Sequence, residues 1–471
     1  MTIERRSLLS IGGMTALAAA VMPAALGARH AGRAAPALPQ HRRKPHTAVR
    51  LDPRAFGAIG DGITKDTAAI QQALDRCAVF GGGVVALAGG TFLTGAVRIG
   101  SNTELRIEAG ATLQGSTDVA DYPIVQVRWE GRWVPGHVGL VWAQDARGIV
   151  LSGGGRIVGS RAIPGRMAPS GLRNPTLLEF VAVHGLEVRD LVTEQNDMWS
   201  IHPVYCTDAT FSGLTIKGGA DGIDLDSCQR VEVRGCDFDT ADDCISLKSG
   251  RGMEGAMLAR PTEDVTITGC TFRDRRWACI GIGSETSGGI RRVLVERCTF
   301  VSAYTFSIYI KSRPGRGAFI EDIMMRDLDV AGAGGGFLRL NLLDSGKQDP
   351  FPVAGPAGIP MVRNLVFERV RVKHVPVLVE AVDIPPDKPL NRFVMRDFAG
   401  TSGRGITLAN MRDVLLDRID VAIASGPKIA VSGVSGRGLD GAEMLPSVPR
   451  PAPVIQEPGQ YRLGQLSGAP N

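Results

Sequence analysis

The chain has 471 residues, of which 44% are hydrophobic and 21% charged, a balance that fits one large or two ordinary globular domains and excludes a disordered chain. Residues 1–27 carry a net charge of +1 and residues 28–54 of +6, so the formal +5 leaves −2 for the rest of the chain. This charge distribution does not support a basic nucleic-acid-binding surface on the folded body. Sixty glycines and only 5% aromatic residues indicate many short strands joined by tight turns.

The first residues have the features of an export signal. The pair Arg5-Arg6 precedes an apolar run from Leu8 to Met22, which is too short to span a bilayer comfortably. Twin arginines followed by Ser-Leu-Leu are similar to a twin-arginine signal. We therefore predict a signal peptide over 1–28, a basic Pro-rich linker over 29–50, a periplasmic or secreted location and no membrane attachment after cleavage. A helix that stays attached is the alternative.

An amphipathic helix is predicted ahead of the repeats described below. Asp66 is a suitable N-cap, and the helix is expected to end at Gly81-Gly82-Gly83. Apolar residues follow at the 3.6-residue period, at Ala69, Ile70, Ala73, Leu74 and Cys77. Because a solenoid exposes an apolar end, we expect this helix to cap the first coil.

A repeat with apolar residues at positions 1, 3, 6 and 8 recurs along the chain, alternating as a strand does and slipping by one at a bend. A looser copy begins at Leu186, and clear copies begin at Val231, Val265, Val293, Ile323, Leu365 and Val414. Each unit has two short apolar strands, so it must stack on its neighbours to bury them. The prediction is an all-β, single-stranded, right-handed parallel β-helix over 51–435, followed by a Pro/Gly-rich tail over 436–471.

The cysteines fit the same repeat. Cys236, Cys270 and Cys298 all fall at position 6, which predicts an interior column of thiols. An export route would also permit disulfides, which remain the alternative.

Aspartates are concentrated at Asp221 and, 21 residues later, at Asp242 and Asp243. That offset is close to one short coil, and stacked strands lie about 4.8 Å apart, so Asp221 is expected beside the other two. Carboxylates so close separate their pKa values, as acid/base catalysis requires. The alternative is a set of ordinary solvated turn aspartates, but the coil spacing favours a catalytic site.

Six motifs follow one another between Leu51 and Val330. They are Phe56-Gly57-Ala58-Ile59-Gly60-Asp61-Gly62 with Thr64 and Asp66-Thr67, Trp199-Ser200-Ile201-His202-Pro203, Asp221-Gly222-Ile223-Asp224, Asp242-Asp243-Cys244-Ile245, Ile282-Gly283-Ser284-Glu285 and Ile310-Lys311. Together, in this order, they resemble glycoside hydrolase family 28, the polygalacturonase family. The resemblance implies a β-helix and metal-independent, inverting hydrolysis of α-linked galacturonic-acid-containing chains.

The resemblance also implies roles for the three aspartates. Asp242 matches the family's general acid, and Asp221 and Asp243 match the pair that activates water. An inverting site needs roughly 6.5–9.5 Å between acid and base carboxyls, a gap that we expect a neighbouring coil to supply. Asp242 should then keep its proton near the working pH.

Two departures from the family pattern concern substrate binding. The family's Gly-His-Gly falls at Arg276-Trp277-Ala278-Cys279, and its Arg-Ile-Lys is Tyr309-Ile310-Lys311 here. Gly219 replaces an Asn ahead of the first Asp, as in rhamnogalacturonan-cleaving members. Because guanidinium binds carboxylate in a bidentate fork and Lys does not, we expect weak cleavage of plain polygalacturonan.

The candidate substrate-binding residues are Lys311, Tyr309, Asp224, Lys248, His202 and Trp277. Lys311 is expected to pair with a substrate carboxylate. Trp277 either stacks on a sugar ring or fills a coil edge. His202 matches a family position, but it is equally well explained by a buried hydrogen bond.

These features predict an exported, monomeric, polygalacturonase-like hydrolase of acidic plant cell-wall polysaccharide, with no metal and no cofactor. Three alternatives remain open. One is a rhamnogalacturonan-type hydrolase of the same family. Another is a polysaccharide lyase, in which acidic side chains hold calcium and a basic residue abstracts a proton. The third is a non-catalytic carbohydrate-binding solenoid.

Overall fold

The slip in the repeat is a corner at which one residue adopts left-handed backbone angles. In the computed structural model, which describes residues 49–447, the fifth repeat position has φ of 59° at Gly235, 63° at Gly269 and 53° at Arg297. Such a residue turns the chain while the apolar residues on both sides stay inside, as Val233 and Cys236 do. The predicted bend is therefore confirmed, and its physical cause is a single residue with positive φ per corner.

The first part of the described chain consists of β1 (Val49–Leu51), β2 (Asp61–Lys65), α1 (Thr67–Val79), β3 (Gly83–Leu87), β4 (Gly90–Thr94), β5 (Val97–Arg98), β6 (Thr103–Ile107), β7 (Ala111–Gly115), β8 (Ile124–Trp129), β9 (Arg132–His137), β10 (Val141–Gln144), β11 (Arg147–Ser152), β12 (Arg156–Val158), β13 (Leu178–Val181), β14 (His184–Arg189), β15 (Val192–Asn196), β16 (Ile201–Val204), β17 (Thr207–Ser212) and β18 (Thr215–Gly218). Short 3-10 turns lie at Pro53–Phe56, Val119–Asp121 and Gly355–Gly358.

The second part consists of β19 (Ile223–Asp226), β20 (Gln229–Arg234), β21 (Asp237–Thr240), β22 (Ile245–Lys248), α2 (Gly252–Leu258), β23 (Thr262–Thr268), β24 (Thr271–Asp274), β25 (Ile280–Ile282), β26 (Ile290–Ser302), β27 (Phe306–Lys311), β28 (Phe319–Ala331), β29 (Gly336–Asn341), β30 (Met361–Asp383), β31 (Leu390–Ile423), β32 (Ile429–Arg437) and β33 (Glu443–Met444).

These strands form three parallel ribbons that run the length of a right-handed β-helix. One ribbon joins β5, β10, β13, β16, β19, β22, β25, β27 and β29. The second runs from β1 through β3, β6 and β11 to β20 and β23, and the third from β2 through β4 and β7 to β21 and β24. The predicted fold class is confirmed.

Identical side chains stack inside the helix because each coil repeats the one before it. The rings of Phe238, Phe272 and Phe300 lie one above the other, with centroids 5.2 Å and 5.1 Å apart. All eight cysteines are free and buried, including the column at position 6 of the repeat. The predicted interior thiol column is confirmed.

The predicted cap helix is α1, and its buried residues are those that the periodicity indicated: Ala69, Ile70, Ala73, Leu74 and Cys77. It packs on β1, β3, β5 and β6, at the first coils. The N-cap prediction is wrong in one respect, because the Asp66 carboxylate accepts hydrogen bonds from the backbone N–H groups of Ile59 and Gly60 at 2.7 Å and 3.0 Å. It therefore fixes the preceding loop and makes no cap bond to α1.

Two excursions leave the coils beside the first ribbon. One is the antiparallel hairpin β8–β9, and the other is the loop 159–177 between β12 and β13. The hairpin is tied down by Arg128, whose buried guanidinium binds Asp226 at 2.9 Å and also contacts Glu254. Each excursion brings a side chain to the same groove, Glu130 from the hairpin and Arg166 from the loop.

The predicted signal peptide and most of the predicted linker lie outside the described residues. The first strand begins at Val49, and the last, β33, lies within the segment predicted as a tail. Among the described helices, neither is long and apolar enough to cross a membrane.

Candidate active site

The three predicted aspartates lie side by side at the start of two consecutive strands of the first ribbon. Ile223 pairs with Ile245, so Asp221 and Asp243 hold equivalent positions on adjacent coils, and the Gly222 N–H donates to the Asp243 carbonyl at 3.0 Å. Asp221, Asp242 and Asp243 each have a carboxylate oxygen within 4.8 Å of the others. The spacing argument therefore placed them correctly, although the register is 22 residues rather than 21.

Each carboxylate faces a cation. Lys311 Nζ lies 2.7 Å from Asp243 Oδ2, and Lys248 Nζ lies 3.4 Å from Asp221 Oδ2. Asp242 accepts a close hydrogen bond from the guanidinium of Arg166, which also lies 3.6 Å from Asp221 Oδ1. Three negative charges are thus balanced by three positive ones.

These contacts separate the pKa values of the trio. Burial raises the pKa of Asp243 to about 7, with Lys311 opposing it and the other two aspartates adding to it. Burial and repulsion by Asp242 also raise the pKa of Asp221. Burial alone would raise the pKa of Asp242, but Arg166 and Lys311 outweigh burial and lower it. In this structure the contact with Arg166 therefore opposes the proton that Asp242 is expected to keep.

The floor of the site is Trp199, which stacks on Trp129 of the hairpin at a centroid distance of 5.0 Å. Lys248 Nζ lies 4.2 Å above the Trp199 ring, a cation–π contact that helps to hold the ammonium in place. His202 is 1% exposed beneath the same ring and lies 3.7 Å from Glu179. His202 is therefore covered by the Trp199 ring in this structure, and its role as a binding residue stays a prediction.

Asp224 is also covered in this structure, and its role as a binding residue stays a prediction. Its side chain is fully buried, and its Oδ1 lies 2.9 Å from Lys248 Nζ. Burial and the neighbouring Asp221 raise its pKa well above the usual range. Asp224 therefore lies beneath Lys248 and holds its ammonium group beside Asp221.

An aromatic platform continues the site towards the next coils. Trp277 is 40% exposed and stacks on Tyr309 at 6.0 Å between centroids. Tyr309 is 7% exposed, and the guanidinium of Arg339 lies 5.5 Å from its ring centroid. Tyr309 therefore supports the platform from beneath, and Trp277 presents the accessible ring.

The groove that these side chains line has a volume of about 250 Å³. Glu285 is buried at its edge, and although burial would raise the pKa of Glu285, the charges of Lys248 and Arg316 lower it. Glu130 reaches the groove from the tip of the β8–β9 hairpin and pairs with Lys347 at 3.1 Å. Glu130 and Arg166 were missed by sequence reasoning because both lie outside the repeat, where periodicity carries no signal.

The oxygen spacing of the aspartate trio is one that a divalent cation could bridge. The trio is, however, already surrounded by Arg166, Lys248 and Lys311. Three positive charges within contact distance would repel an added cation, so these donors fit proton transfer better than metal binding.

An open groove floored by tryptophan and holding paired carboxylates places this β-helix in the class of glycoside hydrolases. Within that class, the profile of glycosyl hydrolases family 28 matches residues 86–336, more than half of the chain. The chain belongs to this family, as the motifs indicated.

Similar proteins are known at low identity. A probable polygalacturonase of Vitis vinifera is 25% identical over 359 residues, covering 73% of this chain and 72% of that protein. A family 28 exopolygalacturonase of Yersinia enterocolitica has a TM-score of 0.69 and 20% identity, over 84% of this chain and 79% of that one. An exopolygalacturonase of Thermotoga maritima has a TM-score of 0.64 and 21% identity, over 84% and 91%. The two structures share the fold.

Proposed function

We propose that this chain hydrolyses α-linked galacturonic-acid-containing chains of pectin, with inversion at the anomeric carbon. The observation that carries the proposal is the trio Asp221, Asp242 and Asp243 on two consecutive coils, each facing a different cation. A carboxyl cluster with separated pKa values supplies both an acid and a base to one bond.

The proposed roles follow the family resemblance. Asp242 donates its proton to the glycosidic oxygen while the bond from that oxygen to the anomeric carbon breaks. Water attacks the carbon from the opposite side and transfers a proton to Asp243, with Asp221 accepting a hydrogen bond from the same water. Exchange with solvent then returns the proton to Asp242 and removes it from Asp243.

The pKa shifts support Asp243 as the base more directly than they support Asp242 as the acid. A general base works best when its pKa lies near the working pH, and that of Asp243 is raised to about 7. Asp242 must first gain a proton that Arg166 opposes in the resting site. One carboxylate oxygen of each aspartate lies within 4.8 Å of the others, which is closer than the roughly 6.5–9.5 Å expected between the acid and base carboxyls of an inverting site. The case for inversion therefore rests on the resemblance.

The accessible groups suit an acidic sugar. Trp277 offers a ring for stacking, and Lys311 has further N–H donors for a carboxylate beyond its bond to Asp243. The expectation of weak action on plain polygalacturonan assumed that Tyr309 leaves the groove without a guanidinium. Arg166 and Arg339 lie at or near the groove, so we propose galacturonan as the primary substrate and rhamnogalacturonan as the alternative.

The test is incubation with polygalacturonan, rhamnogalacturonan and short oligomers, followed by analysis of products. Release of reducing ends from polygalacturonan, with NMR signals of the inverted anomer, is expected. Faster turnover of every rhamnogalacturonan fragment than of polygalacturonan would make rhamnogalacturonan the proposed substrate. Products with the absorbance of unsaturated uronates would indicate a lyase, and retained configuration would overturn the mechanism.

We also propose the sequence-based organisation: a twin-arginine signal over 1–28, a linker over 29–50, export and a monomeric β-helix. The mass-determined N-terminus of the protein recovered from the periplasm or medium tests the cleavage. Arg5→Lys with Arg6→Lys should keep the precursor inside the cell, and unaffected export would contradict the twin-arginine route.

A further inference from the structure

Arg166 links the catalytic groove to a second cavity. It lines the groove and also a neighbouring cavity of about 650 Å³. Its backbone is held in place, because Asn174 N donates to the Arg166 carbonyl at 2.9 Å and Asn174 Nδ2 donates to the Gly165 carbonyl at 3.2 Å. The side chain remains 37% exposed, so the guanidinium can turn while the loop stays fixed.

The second cavity has an excess of positive charge. Arg161, Lys217 and Arg276 line it, and among the described residues their side chains make no hydrogen bond or ion pair. Of its two acidic residues, Glu194 is already engaged by Arg156, which leaves Asp197. Three exposed cations that face a cavity of ligand size form a site for an anion.

In the resting site Arg166 opposes the acid role of Asp242. Its guanidinium donates a hydrogen bond to Asp242 directly and lowers the pKa of this carboxylate more than any other charge does. An ionised carboxylate has no proton to donate, so catalysis through Asp242 requires that Arg166 find another partner. The cavity beside it attracts anions, and a uronate chain carries one on every acidic sugar.

We propose that a carboxylate of the bound chain enters the basic cavity and draws Arg166 away from Asp242, so that an acidic sugar at this position is what makes Asp242 able to protonate the glycosidic oxygen. This rests on the proposed function. Arg166 is then a specificity-determining residue that distinguishes a free uronate from its methyl ester. The proton that Asp242 gains comes from solvent.

The charges around Asp242 define what should happen after the exchange. From the loop it faces Arg166, from the preceding coil Asp221, from its own coil Asp243, and from later coils Lys311 and Asp274. When Arg166 leaves, Lys311 still favours the ionised form of Asp242, against three acidic neighbours. Asp242 should therefore take up a proton when an acidic ligand binds.

The experiment is calorimetry of the binding of a thio-linked trigalacturonate, which a hydrolase does not readily cleave, in two buffers with different ionisation enthalpies, at a pH between 5 and 6. We expect wild-type protein to take up about one proton per ligand. The methyl ester should give none. Arg166→Gln and Asp242→Asn should abolish the uptake, whereas Asp243→Asn should retain it. Arg161→Gln should weaken trigalacturonate binding and leave the proton count unchanged.

The outcomes separate this inference from the proposed function. Proton uptake that is equal for acid and ester, or that survives Arg166→Gln, would overturn the exchange even if pectin is cleaved. Uptake that depends on Arg166, in a protein that cleaves no pectic chain, would support the exchange and refute the function. Comparison of acid and ester in wild-type protein needs no variant, so misfolding of Arg166→Gln leaves this part of the test intact.

Discussion

Asp221 and Asp243 occupy the same position on consecutive coils, and each lies two residues before an isoleucine of the β19–β22 pair. This register makes the separation of the two carboxylates a property of the β-helix, because adjacent parallel strands lie about 4.8 Å apart whatever their side chains. Asp242 joins them as the neighbour of Asp243 on the same turn.

Replacing Asp242 by Asn should abolish most turnover without unfolding the protein. The amide keeps the shape of the side chain but has no proton to donate, so we expect kcat to fall by about two orders of magnitude or more. The control is Asp237→Asn on β21, which removes an exposed carboxylate paired with Arg273. Near-normal turnover of Asp242→Asn in a reducing-end assay would show that another group is the general acid.

Replacing Lys311 by Met should move the acidic limb of the pH profile to higher pH. Lys311 opposes the burial that raises the pKa of Asp243 to about 7, so its removal raises that pKa further. A base must be ionised to act, and activity should therefore appear only at a pH about 1 unit or more higher. Lys373→Met, which removes an exposed cation, is the control; an unmoved limb would exclude Asp243 as the base.

Replacing Trp277 by alanine should weaken substrate binding more than it slows the chemical step. The exposed ring is the accessible part of the platform, so we expect KM to rise by about tenfold, with a smaller change in kcat. Tyr304→Ala removes an exposed ring that does not line the groove and serves as the control. An unchanged KM would mean that Trp277 only fills a coil edge.

Removal of divalent cations should leave activity unchanged, because Arg166, Lys248 and Lys311 already neutralise the carboxylates. Dialysis against a chelator, with metal content measured before and after, tests this directly. Activity that is lost on dialysis and restored by calcium would support the lyase alternative.

Alanine at Phe272 should destabilise the β-helix by about 3–5 kcal/mol, since the cavity would interrupt a continuous ladder of rings. Phe272 is fully buried between Phe238 and Phe300. Urea unfolding followed by circular dichroism measures the change, and Phe80→Ala at an exposed ring is the matched control. A loss below 1 kcal/mol would show that the neighbouring coils close the gap.

The sequence predicted the repetitive part of the molecule well. Buried positions of α1, the position-6 thiols and the ring at Phe272 all follow from periodicity, because every coil meets the same neighbours. Prediction was weaker where one residue type serves two purposes. Asp66 looked like a helix cap and instead binds the loop at Ile59 and Gly60, because backbone donors of that loop lie within its reach.

Substrate-binding roles were predicted from motifs, and the structure then showed which of these side chains are accessible and which are buried. His202 and Asp224 lie in motifs that surround the three candidate catalytic aspartates, yet both side chains are buried beneath the groove. Strand alternation does not reveal this, because a residue on the outer face of a ribbon can still be covered by another ring or an excursion. Here Trp199 and Lys248 cover these two residues.

The sequence by itself determined the β-helix, its bends and the gathering of Asp221, Asp242 and Asp243, since these depend on a local repeat and a fixed coil length. Only the tertiary structure decided which charges surround Asp242. One of these charges is that of Arg166, which lies 76 residues before Asp242 in a loop without periodicity. Arg166 lowers the pKa of Asp242 because the two side chains lie close together in space. Electrostatic energy depends on that distance and on burial, and not on the separation of the residues in the sequence.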